Sequence, residues 1–110
     1  MDLTPDKKSL IISDSRSEIR LWNIQSGDEL QIYKGHKVQR YPVKCKIARD
    51  ASFFVTGSED GLCYVYNFLE TKPIGNLYGH LDSVVAVDIN RKTGAVVTGS
   101  FDGNIKIWVP

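Results

Sequence analysis

The sequence predicts an all-β fold built by repeating one antiparallel unit, and three observations predict it. Gly35-His36 returns as Gly79-His80, 44 residues later. The block Thr56-Gly57-Ser58-Glu59-Asp60-Gly61 returns as Thr98-Gly99-Ser100-Phe101-Asp102-Gly103 after 42 residues. Each block leads into an alternating run that ends on an aromatic residue, Cys63-Tyr64-Val65-Tyr66 and Ile105-Lys106-Ile107-Trp108. A degenerate earlier copy, Ile19-Arg20-Leu21-Trp22, extends the series upstream. Self-similarity at a fixed period is the mark of a repeat architecture.

Taken in order, the first copy predicts strands at 10–13, 19–23 and 29–33, where apolar and polar residues alternate with the period of two that a strand requires. The middle copy adds strands at 43–48, 53–56, 63–67 and 73–77. The last adds 84–89, 95–98 and 105–109. Asp60-Gly61 and Asp102-Gly103 fall between β-rich runs, a strong short-range hairpin signal. Type I′ turns are expected there, with positive φ at both central residues. The chain shows no helical periodicity.

Periods of 42 and 44 residues with Gly-His and Trp landmarks make the chain similar to the WD-repeat family over nearly its whole length. The resemblance implies an incomplete β-propeller arc of four-stranded antiparallel blades. Residues 1–34 are then an incomplete blade, 35–78 a complete one, and 79–110 a blade lacking its outermost strand. Leu3-Thr4-Pro5-Asp6 resembles the turn after an innermost strand, so the chain opens inside a blade. It is expected to be the C-terminal part of a longer protein or a truncated product, in preference to a small protein that completes its sheet with another chain. The stretch Tyr33-Lys34-Gly35-His36-Lys37-Val38, followed by Tyr41, Val43 and Cys45, further resembles the final blades of pre-mRNA-processing factor seventeen and its WD-repeat relatives.

The resemblance also implies a buried hydrogen-bonded chain in each blade. In the last copy it would join His80, Thr98 or Ser100, Asp102 and Trp108. In the middle copy it would join His36, Thr56 or Ser58, Asp60 and Tyr66, shortened or water-bridged because a phenol replaces the indole. A buried carboxylate is costly unless hydrogen-bonded, which is the physical reason for such a chain. The first copy has Arg16-Ser17 in place of Asp-Gly, so no network closes there. Ser, His and Asp also compose hydrolase triads, but these residues recur once per repeat, which argues for a structural role. The chain has no G-x-S-x-G elbow, H-E-x-x-H pair or phosphate-binding glycine loop. No enzyme activity, cofactor or metal is expected.

Composition narrows the class without naming a function. Of 110 residues, 42% are apolar and 25% charged, with net charge +1, an ordinary globular mix that does not by itself favour nucleic acid or an anionic membrane. No apolar run approaches the ~20 residues of a membrane-spanning helix, and nothing after Met1 reads as a signal peptide. Cys45 and Cys63 are too few for a disulfide scaffold and are expected to pack as small core residues in a reducing, intracellular setting.

The implied partner surface is the face carrying the loops between blades and the Asp-Gly turns. It would present Arg40, Tyr41, Asp82, Ser83, Glu59 and Phe101 to a protein partner. A second feature is basic: Lys34, Lys37, Arg40, Lys44, Lys46 and Arg49 fall between 34 and 49 without an acidic residue. This run reads first as a solvated face or as contacts to Glu and Asp of the next blade, and second as a contact for RNA phosphates or an acidic protein. Trp22-Asn23-Ile24-Gln25-Ser26 and Tyr66-Asn67-Phe68-Leu69-Glu70 lack the Arg of the Trp-Asp-x-x-Arg segment of ubiquitin-ligase adapters. The leading expectation is a non-enzymatic protein-interaction scaffold. The alternative is an RNA-associated splicing component, in the nucleus, using the basic segment.

Overall fold

The computed structural model describes residues 2–14, 16–38, 43–50, 52–90 and 92–108. Among these, eleven strands form three antiparallel sheets, and there is no helix. The first sheet runs β1 (Asp2–Leu3), β2 (Ser9–Ser13), β3 (Glu18–Asn23), β4 (Glu29–Lys34). The second runs β5 (Cys45–Ile47), β6 (Phe54–Thr56), β7 (Cys63–Tyr66), β8 (Gly75–Leu77). The third has β9 (Val84–Ile89), β10 (Val96–Ser100) and β11 (Ile105–Trp108). Each sheet is a meander in which consecutive strands pair. The arrangement is an incomplete propeller arc.

Two features depart from the expectation. The first sheet has four strands: Asp2 and Leu3 pair with Ile11 and Leu10. Thr4 opens the turn into β2, its N–H donating to Ser9 O at 2.9 Å and its carbonyl accepting the Lys7 N–H at 2.8 Å. Asp2 also fixes the sheet to its neighbour, its Oδ2 accepting the Ile47 N–H at 2.8 Å. The Asp-Gly turns, in turn, are not type I′. Gly61 and Gly103 have φ of 88° and 86°, but neither Asp60 nor Asp102 is left-handed. The Gly103 N–H donates to Ser100 O at 3.2 Å, so Phe101 and Asp102 occupy the centre of a turn that ends on a left-handed glycine. That longer loop needs only one residue at positive φ. In the first sheet Ser17 takes a left-handed φ of 63° instead. Its hydroxyl compensates by accepting the Val38 N–H at 2.8 Å.

Strand alternation sorts each sheet into two faces and builds two seams. Ile11, Ile19 and Tyr33 of the first sheet pack on Cys45, Ile47, Phe54 and Tyr66 of the second. Phe54 stacks on Tyr66 with centroids 5.0 Å apart, and Tyr33 meets Phe54 edge-on at 4.9 Å. Tyr33 is held by its hydroxyl donating to Phe68 O, and burial pushes its phenol up to about 12. On the opposite face of the second sheet, Val55 and Cys63 pack with Val84, Val87, Ile89 and Val96 of the third. Ile105 and Ile107 lie on the far face of the third sheet and are exposed, as Leu3 and Ile12 are on the far face of the first.

The second seam tolerates no added bulk at Gly57. A Cβ there would fall on the carbonyl of Val84 in β9, which is backbone and has no rotamer to yield. Gly57→Ala is therefore expected to lower unfolding free energy by about 2 kcal/mol. Urea denaturation checks this: the midpoint should fall with an unchanged slope. An unaltered midpoint would mean the seam has slack.

Candidate functional site

A continuous polar chain crosses the third sheet. His80 Nδ1 lies 3.0 Å from Asp102 Oδ2, and His80 Nε2 lies 2.7 Å from Thr98 Oγ1. Trp108 Nε1–H donates to Thr98 Oγ1 at 2.9 Å. One set of protons satisfies every contact: Nδ1–H to the carboxylate, the Thr98 hydroxyl to Nε2, and the indole to the hydroxyl oxygen. The Leu81 N–H also donates to Asp102 Oδ2, at 2.9 Å. That bond first, then those from the Asn104 N–H and His80, hold the Asp102 carboxyl down to about 2. Thr98, not Ser100, is the hydroxyl of this chain. Ser100 Oγ donates to Asp82 O at 3.0 Å and accepts the Asp102 N–H, which shapes the turn.

The middle set does not form such a chain. His36 is 2% exposed, yet neither ring nitrogen has a hydrogen-bond partner among the described residues. Burial drives its pKa down to about 4. Asp60 Oδ2 instead accepts the Tyr64 hydroxyl at 2.6 Å. Tyr64 stands where the last copy has Lys106, and its phenol takes the carboxylate that His80 holds in the last copy. Tyr66 reaches past Thr56. Its hydroxyl donates to Lys34 O at 2.9 Å and accepts the His36 N–H, because a phenol carries its donor at the far end of the ring. Thr56 Oγ1 donates to the Gly57 and Lys44 carbonyls, and Ser58 Oγ accepts the Lys37 N–H at 2.8 Å. No serine hydroxyl meets a histidine ring among the described residues, so the triad geometry is absent there.

The expected partner face is laced together across the second seam. The Glu59 N–H donates to Lys37 O at 2.8 Å, Ser83 Oγ to Glu59 O at 3.2 Å, and the Phe101 N–H to Ser83 O at 3.1 Å. Glu59, Asp82 and Phe101 thus stand on one row of fixed backbone. Ser83 differs from the expectation: it is buried, and its hydroxyl is committed to Glu59 O, so it anchors the row and does not offer a contact. Arg40 and Tyr41 lie outside the described residues. The reading of the sequence missed Leu81, which is 91% exposed. Its place directly after Gly79-His80 was the available signal.

The basic run does not form one patch. Lys44 precedes β5 and Arg49 follows it, so they emerge at opposite ends of the strand. Arg49 shares a cleft with Thr4, Pro5 and Lys7 on the other side of the arc. Lys34 Nζ lies 3.6 Å from Glu18, and Lys46 Nζ 4.0 Å from Asp88. Cys45 and Cys63 are free and buried, and burial pushes the Cys63 thiol up to about 12. Among the described residues no three His, Cys, Asp or Glu side chains group as metal ligands, and no helix is long and apolar enough to cross a membrane.

Comparison with known proteins agrees with this architecture. The family model described as "WD domain, G-beta repeat" matches residues 27–67 and 71–109. WD repeat domain-containing protein 83 homolog of Dictyostelium discoideum is 34% identical over 98% of this chain, which spans 33% of that protein. Pre-mRNA-processing factor 17 of Homo sapiens is 29% identical over 96% of this chain and 19% of its own length. A crystal structure of RRP9 WD40 repeats superposes with a TM-score of 0.85 at 21% identity, covering 98% of this chain and 34% of that one, which shows the shared fold. The WD40-repeat fold typically serves as a non-enzymatic interaction scaffold. With two repeats matched over residues 27–67 and 71–109, the chain belongs to the WD40-repeat family.

Proposed function

We propose that the chain supplies three blades to a longer WD-repeat protein, which acts as a non-enzymatic scaffold by presenting the Glu59–Asp82–Phe101 row to a protein partner. The observation that carries this is the fixed row itself. Phe101 is 52% exposed although its backbone is hydrogen-bonded to the neighbouring loop. An aromatic side chain on immobilised backbone loses little entropy on binding and is a favoured interface anchor. The network of His80, Thr98, Asp102 and Trp108 holds this face in place instead of performing chemistry.

The second reading, association with a splicing ribonucleoprotein in the nucleus, is favoured by the likeness to pre-mRNA-processing factor 17. The division of the basic run between two faces weighs against 34–49 as its means. Affinity capture from nuclear extract, with wild-type chain and Phe101→Ala side by side, separates the two. Scaffolding through this face is expected to retain discrete proteins at high salt and after nuclease treatment, and Phe101→Ala should release them. Binding that disappears steeply with salt and with nuclease would assign the interaction to RNA phosphates. Retention unaffected by Phe101→Ala would remove this face from the proposal.

A further inference from the structure

We propose that Leu81 and Phe101 form an apolar docking point for a protein segment that carries cationic residues among leucine-type ones. The inference rests on the scaffold reading above and names the partner's chemistry. Leu81 is 91% exposed, but its backbone is not loose. Its N–H donates to Asp102 Oδ2, residue 80 before it is locked in the buried chain, and Asp82 O after it accepts the Ser100 hydroxyl. Phe101, beside Asp102, is held by its N–H to Ser83 O. Two apolar side chains therefore project from rigid, adjacent backbone, where docking need not order a loop.

The charge of the partner follows from what surrounds them. A Cβ on Gly61 would lie 3.1 Å from His80 O and 3.4 Å from Asp82 O, so the turn bearing Asp60 abuts the loop bearing Leu81 and Asp82. Asp60 and Asp82 are both exposed. Asp60 is hydrogen-bonded by the neutral Tyr64 phenol and Asp82 Oδ1 by the Ser83 N–H. Neither is ion-paired to a described residue. Lys37 and Lys106 border this ground, so the partner's cation belongs opposite Asp60 and Asp82 and not across the whole face. Such charges select the partner and its register more than they add affinity.

The test uses fluorescein-labelled peptides of about twelve residues, titrated by anisotropy against the chain at about 0.15 M salt. One alternates Arg with Leu, one has Glu for Arg, and one has Ser for Leu. The Arg–Leu peptide is expected to bind, with the other two at least tenfold weaker. Leu81→Ser and Asp82→Asn should each weaken it about tenfold, while Leu81→Met retains it. Leu69→Ser, 88% exposed in the β7–β8 turn at the opposite end of β7, should change nothing. Circular dichroism and urea midpoints matched to wild type establish that the variants fold. Equal binding of the Glu–Leu peptide, indifference to Leu81→Ser, or tighter binding of poly(U) lost in the same variants would overturn the proposal. If the Arg–Leu peptide fails while Phe101→Ala still releases proteins in the capture experiment, the cationic partner is wrong and the scaffold reading stands. If both fail, the face itself is wrong.

Discussion

Thr98→Val is expected to lower unfolding free energy by about 3 kcal/mol, because it leaves two polar groups without partners at almost no change in volume. Thr98 is fully buried, donates to His80 Nε2 at 2.7 Å and accepts from Trp108 Nε1 at 2.9 Å. Valine fills the same space and can do neither. The orphaned ring nitrogen and indole N–H cannot reach each other across it, so each keeps its desolvation penalty. The equivalent change in the middle blade, Thr56→Val, is expected to cost about 1 kcal/mol or less. Thr56 Oγ1 only donates to carbonyls, and one of them, Lys44 O, already accepts the Gly57 N–H at 3.1 Å. Urea unfolding of both variants decides the matter. Equal losses at the two sites would show that the His80 chain contributes no more than an ordinary hydroxyl.

That contrast also measures what could be read in advance. The strands were legible because a period of two, punctuated by Asp-Gly, leaves few alternatives. The last polar chain was legible because its residue types stand at the positions that the repeat assigns them. The middle one was expected to be shortened or water-bridged where Tyr66 replaces the indole; the part of Tyr64 was not legible. Tyr64 occupies an alternating strand position that looks like surface filler, and its hydroxyl takes the Asp60 carboxylate at 2.6 Å. Which of two donors wins a carboxylate is a question of ångströms, and a pattern of residue types does not contain it. The same holds for Ser83, whose serine type suggested a surface group while the Glu59 carbonyl claims its hydroxyl. The basic run pairs in part with acidic residues, Lys34 with Glu18 and Lys46 with Asp88, as the favoured reading of the sequence has it. What a list of charges does not contain is their spread in space: a strand of three residues carries Lys44 and Arg49 to opposite ends of the blade.

His36, whose buried ring nitrogens have no partner among the described residues, gives the protein an acid sensitivity that follows from its burial. Its folded pKa is lowered from 6.5 to about 4, chiefly by desolvation; the carboxylates of Asp14 and Asp60 pull the other way and do not offset it. Below pH 6.5 the unfolded chain takes up a proton on this ring and the folded chain does not, so acidification favours unfolding until about pH 4, where the folded form protonates too. Between those limits stability is expected to fall by up to about 3 kcal/mol from this residue alone. The Asp102 carboxyl, lowered from 3.8 to about 2, is a separate loss that begins only as the pH drops below 3.8. His36→Leu isolates the first window. It removes two buried nitrogens that have no partner among the described residues. Replacing unsatisfied polar atoms with apolar ones is expected to leave stability at neutral pH level or raised. Urea midpoints measured from pH 7 to pH 4 should decline markedly less in His36→Leu than in the wild type. Parallel declines would show that a proton acceptor reaches His36 in solution and that its ring is not the isolated group that the second sheet holds between Gly35 and Tyr66.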